Sequence, residues 1–151
     1  MTGGSVGSKF RYQLASLKKL RELKLNMAKA ELAAVTALVS NCDQKIVEAQ
    51  GNIGQLLDDQ RQTSDTNYVK LFSQLSTSEH DKIDIEMKKR ETLKADLDRH
   101  SAYVSFLRSE LKAVEHHEAA KKEEHQKAVD KRSEKQLDEV SSIMWNRKVR
   151  D

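Results

Sequence analysis

Between Leu25 and Leu56 the sequence reads LNMAKAELAAVTALVSNCDQKIVEAQGNIGQL, and its apolar residues recur at alternating intervals of three and four. The members of this stripe are Leu25, Ala28, Leu32, Val35, Val39, Cys42, Ile46, Ala49, Ile53 and Leu56. A period of about 3.5 residues is typical of a helix that buries one narrow seam against a partner helix. We therefore predict a helix here whose partner lies elsewhere in the chain.

The composition favours long helices over a layered globular core. The 151 residues include no Pro and five Gly, and 34% of them are charged while only 5% are aromatic. Proline breaks helices and glycine weakens them, so their scarcity permits helices of unusual length. The net charge of +3 is spread over many charges of both signs, which indicates a soluble surface and not a phosphate-binding stripe.

These features predict an all-α fold, a long antiparallel two-helix coiled-coil hairpin with a short helical turn at the tip. The polar run that includes Thr63, Ser64 and Asp65 favours a bend. Ser76 followed by Glu79 is a capping-box pattern that predicts a helix start. The boundaries predicted are a disordered N-terminus at 1–8 and a single α-hairpin at 9–151, with helix one at about 9–57, a bend at about 58–75 and helix two at about 76–148.

The second helix carries a matching but less perfect seam. Its candidates are Ile83, Leu93, Leu97, Val104, Leu107, Leu111 and Val114, with Glu86, Arg90 and His100 filling gaps on the same heptad grid. A bend centred near Thr66 places Val39 close to Leu93 and lets the first helix run out opposite about residue 122. The rest of the second helix is then expected to have no partner within the chain.

Both ends of the predicted hairpin leave two interpretations open. After a polar segment, the apolar residues Leu137, Val140, Ile143, Met144 and Trp145 return near the C-terminus. They form either a docking site or a stripe that packs on the region from Phe10 to Leu23. The basic start of the first helix is either a soluble face or a contact for an acidic protein surface.

The sequence contains little that suggests catalysis. Gly51 and Gly54 lack the lysine of a phosphate-binding loop, and no arrangement of Ser, His and Asp for nucleophilic attack is recognisable. His116, His117 and His125 fit a solvated polar helix better than a zinc site. We expect no enzyme, catalytic residue, cofactor, metal or nucleic-acid partner. We also expect no secretory signal or membrane span, and we expect Cys42, the single cysteine, to be a small buried seam residue.

Towards the C-terminus the residues become more specific. Residues 135–139 read KQLDE, and Arg147 and Lys148 follow after seven residues. This pattern resembles the tail of the FliJ/YscO family, the central-stalk proteins of flagellar and virulence type III secretion export ATPases. The chain length, the two-helix organisation and the Asn67-Tyr68 pair before a short apolar helical face are also similar. Phe72 stands one residue later after this pair than the family pattern suggests.

The resemblance implies a function in protein transport. Family members form a long α-hairpin whose terminal ends enter a hexameric secretion ATPase and promote its assembly and activity. Other parts meet the cytoplasmic domain of the export gate, and some members bind export chaperones. By this resemblance the chain is cytoplasmic and peripheral at the base of the secretion apparatus, without direct membrane insertion. The alternative we keep is a prefoldin-like coiled-coil chaperone or scaffold.

The resemblance also divides the candidate contact residues into two groups. The expected gate contacts at the tip are Ile53, Leu56, Tyr68, Leu71, Phe72 and Leu75. The expected ATPase contacts near the termini are Arg11, Lys18, Arg21, Leu137, Asp138, Glu139, Arg147 and Lys148.

Overall fold

Two helices account for most of the chain. The computed structural model describes residues 9–150, and the predicted disorder of residues 1–8 lies outside this range. Helix α1 spans Ala15–Arg61 with 47 residues, and helix α2 spans Thr66–Arg150 with 85 residues. No strand occurs between residues 9 and 150. The predicted class, an all-α hairpin of two long helices, is confirmed.

The connection between the helices is shorter than the predicted bend. Only residues 62–65 separate α1 from α2. The carboxylate of Asp65 accepts a hydrogen bond from the backbone N–H of Asn67 at 3.0 Å, so Asp65 caps the first turn of α2. The second helix therefore begins at Thr66, ten residues before the predicted start at Ser76.

The polar residues around Ser76 are accommodated inside the helix, which explains this difference. Thr77 donates its hydroxyl hydrogen to the carbonyl of Ser73 at 3.0 Å, and His80 Nδ1 donates to the carbonyl of Ser76 at 2.8 Å. Glu79, the second member of the expected capping box, accepts instead from Asn52 and Lys82. The helical turn predicted at the tip is thus the first part of a continuous α2.

The first helix also begins later than predicted. We expected it from about residue 9, whereas α1 starts at Ala15. The N–H of Ala15 donates to the carbonyl of Tyr12 at 3.2 Å, which forms a turn before the helix. Residues 9–12 have no helical conformation.

Residues 25–106 form one compact unit, which we call the turn unit. In it α1 and α2 run antiparallel, because Glu31 lies opposite His100, Asp43 opposite Arg90 and Asn52 opposite Glu79. Paired residues of an antiparallel hairpin are equally far from its bend, so their numbers have a nearly constant sum. The sums here are 131, 133 and 131, as expected for a bend near Thr66. All ten residues of the α1 stripe are buried or half-buried, including Cys42 at 5% exposure.

Residues 9–24 and 107–150 form the second compact unit, which we call the terminal unit. Leu107 and Val114 of α2 are buried there, at 3% and 5% exposure, and Leu111 is half-buried. By contrast, every residue from Lys131 to Arg150 is exposed. The C-terminal apolar residues therefore do not pack on the Phe10 to Leu23 region, which was one of the two interpretations.

Candidate partner-binding surfaces

Around the turn, four large apolar side chains are exposed. We call this set the turn cluster: Leu57, Tyr68, Leu71 and Leu75, with exposures from 43% to 53%. Phe72 is half-buried, and its ring stacks on that of Tyr68 with 6.4 Å between centroids. Tyr68, Leu71 and Leu75 share one face of α2, because they are spaced by three and four residues. Exposed apolar side chains that are grouped on one face are typical of an interaction site.

Five of the six expected gate contacts divide into two kinds, and the sixth is Phe72, half-buried beside Tyr68. Tyr68, Leu71 and Leu75 are exposed on the turn cluster. Ile53 and Leu56 are half-buried members of the α1 stripe, so they contribute to packing between the helices. The sequence did not single out Leu57, which is 47% exposed and follows directly after the last stripe residue.

Two of the three expected basic contacts near the N-terminus, both on α1, bond to α2. Lys18 forms an ion pair with Glu118 at 3.0 Å. The hydrogen bond to Glu118 raises the pKa of Lys18, because it favours the charged ammonium. Arg21 donates to the backbone carbonyl of Glu110 at 2.8 Å. Arg11, before the helix, is exposed.

Aromatic residues before α1 contact two histidines of α2, a feature that sequence reasoning missed. The Tyr12 hydroxyl lies 2.6 Å from His117 Nδ1, and the donor in that hydrogen bond depends on the histidine tautomer. The Phe10 ring lies 5.6 Å from the His125 ring. Residues 10–12 precede the regular helix, so helical periodicity gave no signal for these contacts.

At the C-terminus α2 carries an exposed apolar surface. We call it the tail stripe: Leu137, Val140, Ile143, Met144, Trp145 and Val149, with exposures from 53% to 67%. Leu137, Val140 and Met144 share one face, since they are spaced by three and four residues.

Charged residues of both signs border the tail stripe. Arg147 and Lys148 follow Met144 within about a turn on the same face, whereas Glu139 lies one turn before Ile143 and Asp138 two turns before Trp145. All four are exposed. The expected ATPase contacts of the C-terminus are therefore all accessible.

The described residues offer neither a metal site nor a membrane span. No group of three or more His, Cys, Asp or Glu side chains between residues 9 and 150 is placed to hold a metal ion. Neither α1 nor α2 contains a stretch that is long and apolar enough to cross a bilayer.

Comparison with known proteins gives a family that fits this geometry. The family model described as the flagellar FliJ protein matches residues 10–150. The chain belongs to the FliJ family. No match was found among curated proteins or among solved structures. The family match runs from the aromatic residues before α1 to the last turn of α2, so it includes the turn cluster and the tail stripe.

Membership of the FliJ family gives the chain a general role. The family consists of stalk-type, structural proteins of flagellar and type III secretion systems and has no known enzyme activity. The chain is therefore a coiled-coil protein associated with components of a secretion apparatus. The FliJ/YscO resemblance predicted from the KQLDE pattern is confirmed.

Proposed function

We propose that this FliJ-family protein is the central stalk of a type III secretion export ATPase. The observation that carries the proposal is the single-helix tail of α2. All residues from Lys131 to Arg150 are exposed, and they present the tail stripe beside Arg147 and Lys148. Apolar side chains that are exposed over several helical turns are typical of a surface that a partner protein covers.

A hexameric ring is a suitable partner for such a tail. A single helix is about 10–12 Å across with its side chains, which is narrow enough for a ring pore. Arg147 and Lys148 would meet acidic groups of the pore, and the tail stripe would meet apolar ones. Because one hairpin lacks six-fold symmetry, each ring subunit would make a different contact with it, and these contacts promote assembly and ATP turnover.

The turn cluster supports the second half of the proposal, a link to the export gate. Tyr68, Leu71 and Leu75 expose apolar area, as required for contact with the cytoplasmic domain of the gate. The same exposed surfaces also suit export chaperones, which are additional expected partners. In this role the protein is cytoplasmic and peripheral at the base of the secretion apparatus.

Mixing the protein with its cognate ATPase tests the proposal. We expect the full chain to promote ring assembly, measured by sedimentation, and to raise ATP turnover. A variant that ends at Asp130 lacks the tail stripe but keeps the contacts of Phe10, Tyr12 and Lys18 with α2. It should fold and lose most of the stimulation. Equal stimulation by both proteins would contradict the proposal.

A coiled-coil chaperone of the prefoldin type is the alternative that the exposed tail stripe also favours. Such a protein would suppress the aggregation of unrelated unfolded proteins through the same apolar residues. The stalk should show no such suppression at concentrations that saturate the ATPase. Suppression that disappears in the variant ending at Asp130, without any effect on ATP turnover, would support the chaperone instead.

A further inference from the structure

Charged residues occupy seam positions of α2 in the turn unit. Glu86 and Arg90 stand on the same heptad grid as Ile83 and Leu93, where apolar residues are the rule. Both are half-buried, and the Glu86 side chain is only 12% exposed. Their placement between the helices calls for a reason, because burying a charge is costly unless it is paired.

Each of these charges meets an opposite charge on α1. The Nε of Arg90 donates a hydrogen bond to Oδ1 of Asp43. The Nζ of Lys45 lies 3.9 Å from Oε1 of Glu86. We call these four residues the charged seam pairs. His100 is a third polar seam residue, and its Nδ1 lies 3.8 Å from Oε2 of Glu31. This contact is an ion pair only when the imidazole is protonated.

The apolar stripes alone do not select one alignment of the helices. They repeat every seven residues, so moving α2 along α1 by one heptad again places apolar residues opposite apolar residues. Such a slip displaces the helices by about 10 Å, at about 1.5 Å per residue. Hydrophobic contact is non-directional and distinguishes weakly between these alignments.

The charged seam pairs differ strongly between alignments. A slip of one heptad places Arg90 opposite Thr36 or Gln50 in place of Asp43. The same slips place Glu86 opposite Leu38 or Asn52. Neither direction supplies an opposite charge on α1. Arg90 would lose Asp43, and Glu86 would lose Lys45 and keep only Lys89 of its own helix. Half-buried charges that lose partners make the slipped alignments less favourable.

Pairing of α2 with a second copy of itself is penalised in a similar way. In a parallel, in-register coiled coil each seam residue faces its own copy. Glu86 would then face Glu86, and Arg90 would face Arg90, so like charges would meet inside the seam. The hairpin avoids this repulsion because α1 supplies Lys45 and Asp43.

We propose that the charged seam pairs, Asp43 with Arg90 and Lys45 with Glu86, fix the register of the hairpin and oppose parallel self-pairing of α2. They specify one alignment at the expense of an apolar contact at the same positions. A single polar seam position is known to set register and oligomeric state in coiled coils. The inference concerns the architecture and does not depend on the proposed secretion function.

The test replaces both α2 charges with leucine, as Glu86→Leu with Arg90→Leu. Spin labels at the exposed positions Ser40 and Thr92, in a Cys42→Ala background, report the register by pulsed electron paramagnetic resonance. The protein with the native seam charges should give one distance population. The double leucine variant should remain helical but give at least one additional population, or a dimer by light scattering.

Matched controls separate this effect from a general loss of charge. Lys88→Leu with Glu91→Leu also removes one base and one acid from α2, but at exposed positions, and should keep the single population. Arg90→Asp should disturb the register, and Asp43→Arg added to it should restore one population. A double leucine variant that stays monomeric with the original distance, or a charge exchange that fails to restore it, would overturn the proposal.

Discussion

Leu25 and Leu38 lie on the same helix but in different surroundings. Leu25 is 5% exposed, whereas Leu38 is 51% exposed. Leu25→Ala should lower the free energy of unfolding by about 2–5 kcal/mol, because it removes buried methyl groups and leaves a cavity. Leu38→Ala, the matched control, should change it by less than about 0.5 kcal/mol, as is usual at the surface. Urea unfolding, monitored by circular dichroism, measures both changes. Equal losses of stability in the two variants would contradict the burial of Leu25 in the seam.

Cys42 shows how the seam changes the chemistry of one residue. Burial raises the pKa of the Cys42 thiol, and its hydrogen bond with Glu86 raises it further. The thiolate is the reactive form, so Cys42 should react slowly with Ellman's reagent at neutral pH. The labelling rate should rise only at pH values above the range in which an exposed cysteine thiol loses its proton.

The sign of the stability effect follows from the same shift. Because the folded protein favours the protonated thiol, its contribution to stability is complete below the unfolded pKa and is lost as the pH rises through the folded pKa. Glu86→Gln removes the negative charge and should move the pH profile of Cys42 labelling to lower pH. A labelling rate in native protein equal to that in urea would show that the thiol is accessible.

Gly54 is an exposed glycine within α1, with open space where a side chain would lie. A Cβ built at Gly54 would meet nothing within 4 Å, and the residue is exposed. Gly54→Ala should therefore raise the free energy of unfolding by about 0.5–1 kcal/mol, since glycine in a helix costs conformational entropy. Thermal unfolding measures the change. Gly54→Pro should have the opposite effect, and a loss of stability in the alanine variant would reveal an undetected close contact.

The helix seams were predictable from the sequence, because burial follows the heptad period directly. The half-buried Glu86, Arg90 and His100 even appear as the gaps of that pattern. Helix ends were predicted less well. Ser76 and Glu79 match a capping box, but the Ser76 carbonyl accepts from His80 within α2 and the Glu79 carboxylate accepts from Asn52 on α1. A local motif does not reveal such partners, whereas Asp65 performs the capping with a single hydrogen bond.

The candidate surfaces were only partly predictable. Helical periodicity left the exposure of the tail stripe open, and it did not predict the contacts of Phe10 with His125 and of Tyr12 with His117. These contacts join residues more than 100 positions apart, so no spacing rule predicts them. For the same reason Lys18 was predicted as a partner contact, although it pairs with Glu118.

At the scale of the whole molecule, the two candidate surfaces belong to different compact units. The turn cluster lies in the turn unit, and the tail stripe lies in the terminal unit. Neither surface contributes a residue to the buried core, which consists of Leu25, Ala28, Val39, Cys42, Ala49, Val104, Leu107 and Val114. Substitutions in one surface should therefore leave both the fold and the other surface intact.

This separation leads to a reciprocal prediction for the stalk. Tyr68→Ala with Leu71→Ala should weaken binding to the gate domain about tenfold or more, because each removed anchor costs about 1 kcal/mol or more. It should leave the stimulation of the ATPase unchanged. Val140→Ala with Met144→Ala should reduce that stimulation and spare gate binding. Isothermal titration calorimetry and ATP turnover measure the two effects.

Folding serves as the internal control for both variants. All four residues are more than 40% exposed, so helix content and the free energy of unfolding should change little in either variant. If the Tyr68 and Leu71 variant unfolded at lower urea concentration, the turn cluster would be part of the packing between the helices. If either variant lost both activities while remaining folded, the two surfaces would serve one partner, and the stalk model with separate contacts to ring and gate would be wrong.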